Sequence, residues 1–80
     1  MISNQEQISA NKRLYDLRTQ RKMTQQEVAA ETGMHTSYIS HLEKDGTPIG
    51  DKAARILSEF FSVPFTDLYQ PKNARAEGKQ

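Results

Sequence analysis

The 80-residue chain contains no cysteine and no long hydrophobic run. Without cysteine, a disulfide and a zinc site built on thiolates are both excluded. No stretch approaches the roughly 18 apolar residues that span a bilayer, and the N-terminus lacks the charged-then-apolar order of a secretory signal. We therefore expect one small cytoplasmic domain with no membrane segment, whose thin core buries about 60–65% of the surface of the unfolded chain.

An excess of charge of one sign is also missing, because 11 basic and 10 acidic residues leave a net charge of +1. The charges are unevenly distributed, at +3 over residues 1–22, −3 over 23–50, −1 over 51–70 and +2 over 71–80. A nucleic-acid-binding protein usually presents a basic face. DNA binding by this chain would therefore depend on where individual side chains lie and not on its overall charge.

Strand signals are missing as well, since no period-2 alternation of apolar residues occurs anywhere in the chain. Helix signals, by contrast, are present. Capping boxes at 3–6 and 24–27 predict helix starts, and Gly33 and the turn residues at 45–48 predict helix ends. The expected fold class is all-α, a compact domain of five helices. We expect these at roughly 4–22, over about eight residues after Thr24, from after His35 to Lys44, from Gly50 or Asp51 through Phe61, and in a short piece after Pro64.

The predicted core and the predicted boundary follow from the same pattern. The composition from Gln70 onward predicts disorder, so we expect a domain over residues 1–70 and a disordered basic tail over 71–80. The residues predicted to face the core of the first three helices are Ile8, Leu14, Leu17 and Tyr15, then Val28 and Ala29, then Ile39 and Leu42.

Residues 25–44 form the most informative segment. Two short helices joined by a turn that contains Gly33 are typical of a helix-turn-helix unit. If Ile39 points inward, a rotation of about 100° per residue places a polar face on the other side of the second helix. Hydroxyl and imidazole groups there can bind base edges, although an ordinary solvated helix has a polar face too. The residues of this face are Thr36, Ser37, Tyr38, Ser40, His41 and Lys44.

Residues 14–69 resemble the lambda-repressor/Cro-like, or Xre-type, helix-turn-helix family. The matching features are the Thr-Gln-x-x-Val-Ala run from Thr24, Gly33, the Tyr-Ile-Ser-x-Leu-Glu run from Tyr38 and the Val-Pro-x-x-x-Leu run from Val63. The resemblance implies a sequence-specific regulator of transcription that binds double-stranded DNA. It further implies a dimeric repressor on a pseudo-palindromic operator, reading the major groove with the helix around 36–44.

The resemblance also implies roles for individual residues. Thr36, Ser37 and His41 match base-reading positions, and Arg18 and Glu43 match an ion pair that joins the first helix to the recognition helix. Contacts with the DNA backbone are implied for Gln25, Tyr38, Ser40, Lys44 and Thr47. The chain departs from the family pattern at His35, which occupies the place of a Ser or Thr cap and leaves Thr36 as the candidate cap. It also has no Lys/Arg cluster in the loop 45–50.

The remaining expectations concern partners and chemistry. Phe65, Leu68 and Tyr69 are the predicted dimer interface, because apolar residues beyond the needs of a thin core mark association. No catalytic residues are expected, since no carboxylate is spaced to orient His41 next to Ser37. No metal site is expected, because Gly33 breaks the helix between Glu31 and His35. No cofactor or small-molecule ligand is expected either, since the chain has no phosphate-loop or dinucleotide-binding pattern. The acidic balance of residues 23–50 leaves open an alternative: the chain is a protein-interaction module that uses this same helical fold to bind a partner protein.

Overall fold

A computed structural model describes residues 8–72 of the chain and confirms the all-α fold. Five helices follow one another: α1 (Ala10–Gln20), α2 (Gln25–Thr32), α3 (Thr36–Leu42), α4 (Asp51–Phe61) and α5 (Phe65–Leu68). Between residues 8 and 72 the only β-type pairing is an isolated antiparallel bridge between Ile49 and Gln70. Within the same stretch, no helix combines the length and the hydrophobicity that crossing a membrane requires.

Helix α1 is shorter than the sequence predicted. Ser9 is its N-cap, in an extended conformation, and the Ser9 hydroxyl accepts a hydrogen bond from the backbone N–H of Lys12. The predicted helix start at residue 4 is therefore wrong, since Ile8 and Ser9 are not helical. The capping box at 3–6 that suggested it lies outside the described residues. At its other end the helix stops at Gln20 and not at residue 22.

Helix α2 begins and ends where its local signals predicted. The Thr24 hydroxyl accepts from the backbone N–H of Glu27 at 3.0 Å, and the Glu27 carboxylate accepts from the backbone N–H of Thr24 at 2.8 Å. Gly33 ends the helix in the left-handed conformation, with φ of +78°. Helix α3 then begins at Thr36 with His35 as its N-cap, so Thr36 is not the cap, and it ends at Leu42, before Lys44.

The core lies among all five helices, and it differs in part from the predicted one. Ile8 and Tyr15 are 50% and 44% exposed, so they do not belong to the buried stripe of α1. Asn11, a polar residue, is fully buried instead, and Ile49 is buried although it lies in a loop. The buried hydrophobic residues are Ala10, Leu14, Leu17, Val28, Ala29, Ile39, Leu42, Ile49, Ala53, Ala54, Leu57, Phe61 and Leu68.

Gln70, the last residue of the predicted domain, pairs with the α3–α4 loop. The backbone N–H of Ile49 donates to the carbonyl of Gln70 at 2.9 Å, and the N–H of Gln70 donates to the carbonyl of Ile49 at 3.0 Å. Gln70 therefore closes the chain onto the α3–α4 loop and is not part of a disordered tail. The tail predicted for 71–80 falls largely on residues 73–80, which lie outside the described residues.

Replacing a glycine with serine should change stability in opposite directions at Gly33 and at Gly50. At Gly33, φ of +78° disfavours any side chain, so Gly33→Ser should lower the free energy of unfolding by about 1 kcal/mol. Gly50, the N-cap of α4, has an ordinary φ of −74° and no side-chain cap. There Gly50→Ser supplies a capping hydroxyl and should raise stability by roughly 0.3 kcal/mol. Urea unfolding followed by circular dichroism tests the pair, and a change of the same sign at both glycines would contradict it.

Candidate nucleic-acid interface

Helix α3 has one face in the core and one face in solvent. Ile39 and Leu42 are almost completely buried and anchor the helix to the rest of the domain. The opposite side, which we call the outward face, consists of the exposed residues Thr36, Ser37, Tyr38 and His41. The structure thus places the three predicted base-reading residues together on the surface, whereas Ser40 at the edge of this face is half-buried.

An ion pair fixes the C-terminal end of α3 to α1. The Arg18 guanidinium donates from Nε to Glu43 Oε2 at 2.6 Å and from Nη2 to Glu43 Oε1 at 3.0 Å, in a two-bond arrangement. Its Nη1 donates to the Met23 carbonyl at 2.8 Å. The side chains of Arg18 and Glu43 are only 12% and 6% exposed, so water screens the pair little. Hydrogen bonding to Glu43 raises the pKa of Arg18 above its ordinary value.

Gln25 belongs to the same network, a connection that the sequence did not reveal. Gln25 Nε2 donates to Glu43 Oε1 at 3.0 Å, so a single carboxylate holds residues of α1 and of α2. An amide nitrogen carries two hydrogens, and this bond uses one of them. Gln25 is also the first residue of α2, where backbone N–H groups lack partners within the helix.

Comparison with models of protein families matches residues 14–68 to the family described as Helix-turn-helix. The chain belongs to this family, of the Xre and lambda-repressor type. The match spans most of α1 and all of α2, α3, α4 and α5, so the protein is a DNA-binding helix-turn-helix regulator. No match to the chain was found among curated proteins or among solved structures.

In this helix-turn-helix protein the chain after α3 turns sharply and then runs to α4. Lys44 is exposed two residues beyond the end of α3, and its carbonyl accepts from the backbone N–H of Thr47 at 3.1 Å. Gly46 lies inside this turn with φ of +87°. Thr47 is half-buried, and its carbonyl accepts from Asn11 Nδ2 at 2.8 Å and from Gln70 Nε2 at 2.7 Å. The structure therefore brings Lys44 and Thr47 together at the end of the recognition helix.

Asn11 and Gln70 are two residues next to this site that sequence reasoning missed. Asn11 is fully buried on the inward face of α1, one turn before Leu14. A polar residue at an inward position of an apolar stripe was the available signal, because a buried amide must find hydrogen-bond partners. For Gln70 the sequence offered no signal, since its partners lie as far away along the chain as Ala10.

The predicted dimer interface is corrected at one of its three residues. Leu68 is 0% exposed and belongs to the core of its own domain, so it is not available to a second subunit. Phe65 is half-buried and stacks on Tyr69, with ring centroids 5.0 Å apart. Tyr69 is 39% exposed. Phe65 and Tyr69 thus form an aromatic surface beside α5.

The described part of the helix-turn-helix protein can also be searched for metal-binding groups and for surface hollows. Over residues 8–72, no group of three or more His, Asp and Glu side chains is arranged to hold a metal ion. The surface has a hollow of about 350 Å³ beside Ile8, Tyr15 and Asp45. A second one, of about 380 Å³, lies beside Arg13 and Thr66. Neither hollow includes a residue of the outward face of α3.

The ion pair makes a prediction about stability. Arg18→Leu leaves the nearly buried Glu43 carboxylate without its guanidinium, so the free energy of unfolding should fall by about 3 kcal/mol. The double variant Arg18→Leu/Glu43→Leu removes the uncompensated charge and should recover most of this loss, because apolar side chains fill the same space. Urea unfolding of both variants provides the measurement. A double variant no more stable than Arg18→Leu alone would show that charge pairing is not what matters here.

Proposed function

We propose that this protein is a sequence-specific transcriptional repressor that binds double-stranded DNA as a homodimer. It acts in the cytoplasm, without a catalytic step, a cofactor or a small-molecule ligand. The observation that carries the proposal is the outward face of α3, which is polar, exposed and free of aliphatic side chains. Its orientation is fixed from behind by the Arg18–Glu43 pair, so the helix is ready to enter a major groove without rearrangement.

Base recognition in this proposal comes from short side chains. Thr36, Ser37 and His41 offer hydroxyl groups, a methyl group and an imidazole to base edges and to thymine methyl groups. Because Thr36 and Ser37 are short, α3 must lie deep in the groove or use bridging water. We expect modest affinity per subunit for this reason.

Contacts with the DNA backbone place the recognition helix. Gln25 retains one amide hydrogen beyond its bond to Glu43, and it lies at the N-terminus of α2, where a phosphate is favoured. Lys44 is exposed at the other end of α3, close to Thr47. Tyr38 and Ser40 complete the proposed set of backbone contacts along α3. Such contacts fix position and register and carry no sequence information of their own.

Dimerisation completes the proposed mechanism. The aromatic surface of Phe65 and Tyr69 is a candidate two-fold contact, since exposed apolar surface marks association. Two recognition helices related by a two-fold axis fit half-sites about one helical turn apart, which makes the operator pseudo-palindromic. Repression then follows from occupancy, because the bound dimer excludes polymerase from the site.

In a second candidate function, this chain uses the same helical fold to bind a partner protein and not DNA. The observation that favours it is the acidic balance of residues 23–50. Glu27, Glu31 and Asp45 are all exposed in this region. These negative charges repel DNA phosphates, whereas they would attract a basic partner protein.

The DNA-binding proposal predicts different effects for base-reading and backbone residues. A duplex selected from a random pool should bind at least ~10³-fold more tightly than a scrambled duplex, with steep dependence on salt. His41→Ala should relax preference at one base position and cost about 1–3 kcal/mol on the selected site. Gln25→Ala should weaken binding to all duplexes by the same factor, because its partner is a phosphate.

Fluorescence anisotropy across a salt series gives both affinities for each variant. Thermal unfolding is the control for Gln25→Ala, which also loses the bond to Glu43. If no sequence is enriched and binding to every duplex is weak, the partner-protein function is favoured. Equal losses on all sequences for both variants would refute the assignment of His41.

The dimer makes a separate prediction. At micromolar concentration the protein should sediment as a species of twice the 9.1 kDa monomer mass, and Tyr69→Asp should shift it to the monomer by placing a charge in an apolar contact. Tyr15→Asp is the matched control, because Tyr15 is a similarly exposed tyrosine on α1. A monomer for the unchanged protein would contradict the proposed interface, and so would a dimer that tolerates Tyr69→Asp.

A further inference from the structure

A buried amide lies behind the C-terminal end of the recognition helix. Asn11 is 0% exposed, and its Nδ2 donates to the Leu42 carbonyl at 2.6 Å and to the Thr47 carbonyl at 2.8 Å. Its Oδ1 accepts from the backbone N–H of Gly46 at 3.0 Å. Leu42 is the last residue of α3. A side chain of α1 thus binds the final carbonyl of α3 and the last two residues of the following turn.

Gln70 extends this network from the other end of the described chain. Its Nε2 donates to Asn11 Oδ1 at 2.8 Å and to the Thr47 carbonyl at 2.7 Å, and its Oε1 accepts from the backbone N–H of Ala10 at 3.1 Å. The backbone of Gln70 also pairs with Ile49 in both directions. One residue therefore joins the N-terminus of α1 to the α3–α4 loop.

The orientation of both amides follows from their backbone partners. A backbone N–H can only donate, so the Asn11 atom facing Gly46 must be the oxygen. The Gln70 atom facing Asn11 Oδ1 and the Thr47 carbonyl must then be the nitrogen. No buried side-chain nitrogen or oxygen in the described part of the chain lacks a hydrogen-bond partner. A network in which every group is satisfied favours one arrangement of its members.

We propose that Asn11 and Gln70 are positioning residues for DNA binding, which act by fixing the segment that carries Lys44 and Thr47. They hold this segment at Leu42, Gly46, Thr47 and Ile49, on both sides of the two backbone-contact residues. Neither Asn11 nor Gln70 touches DNA in this scheme. The inference rests on the proposed function, because it concerns how the protein presents groups to phosphate.

The network is more specific than core packing requires. A leucine at position 11 could fill the space of Asn11 among the buried residues of α1. It would leave the Gly46 N–H and the Leu42 and Thr47 carbonyls without these partners, and such groups find other partners by moving. The amides therefore determine where the loop lies, a property that DNA binding uses directly.

Gln70 is the residue to change, because it is half-buried whereas loss of the fully buried Asn11 endangers folding. Gln70→Ala removes three side-chain hydrogen bonds and keeps the backbone bridge to Ile49. We expect binding to every duplex to weaken roughly fivefold, at a temperature where the variant is fully folded, with the base preference at His41 unchanged. Arg13→Gln is the matched control, because it cuts the tie from α1 to Asp67 of α5 and does not touch the loop. It should leave binding unchanged.

A double-mutant cycle separates positioning from general stability. If Gln70 acts through Lys44 and Thr47, Gln70→Ala should weaken binding much less in a background that lacks both contacts, Lys44→Ala/Thr47→Ala. In a Gln25→Ala background, at the other end of the interface, its effect should stay the same. Hydrogen exchange without DNA should show faster exchange at the Gly46 amide and no change at Val28 in α2.

The outcomes distinguish this inference from the proposed function. An unchanged protein that binds no DNA refutes the proposed function itself. If the unchanged protein binds DNA, three results overturn only the positioning role. These are undiminished binding by folded Gln70→Ala, full additivity with Lys44→Ala/Thr47→Ala, and a uniform rise in exchange across all helices.

Discussion

A helix of seven residues has no stable orientation of its own in water, and α3 is such a helix. The function of the domain therefore depends on how the other helices fix α3. Ile39 and Leu42 bury its inner side, the Arg18–Glu43 pair ties the residue that follows it to α1, and Asn11 binds the carbonyl of its last residue. Two of these three ties come from α1, which serves as the support on which the recognition helix is mounted. Apolar packing alone permits small rotations, whereas the polar ties impose direction and distance.

What the sequence could predict depended on how far apart the partners lie in the chain. Helix α2 was predictable because its capping box and its terminal Gly33 are signals within ten residues of one another. The inward position of Ile39 and Leu42 followed from helical periodicity. The hydrogen bond that Gln70 accepts from the backbone N–H of Ala10 spans 60 residues, and the bond that Asn11 donates to the Leu42 carbonyl spans 31. No local pattern encodes such pairs. The burial of Leu68 was missed for a different reason. A helix of four residues is too short for a periodic pattern of apolar residues to mark its buried side.

The acidic balance of the helix-turn-helix segment looks different once its partners are known. Glu43 is bound to Arg18 and nearly buried, so its charge is compensated inside the domain and contributes little to the surface potential. The Glu27 carboxylate accepts from the N-cap of α2 but remains exposed and charged. Glu31 and Asp45 are exposed as well. The surface beside the outward face of α3 is thus less acidic than the net charge of −3 over residues 23–50 suggests. It is nevertheless not basic. Affinity for DNA must then come from a few well-placed groups and from pairing of subunits.

Placement of this kind explains why polar residues occupy positions where apolar ones would pack more simply. Replacing a buried ion pair with apolar side chains is often neutral or stabilising, so Arg18–Glu43 is weak evidence for stability. The pair has a second effect, since Glu43 also holds Gln25 at the start of α2. Asn11 likewise joins the end of α3 to the loop that follows it. Both ends of the proposed DNA surface are therefore attached to α1 through polar atoms whose geometry is specific. A thin core can keep such a domain folded, but directional bonds are needed to hold Gln25, α3 and Thr47 at fixed distances from one another, and a rigid duplex requires those distances.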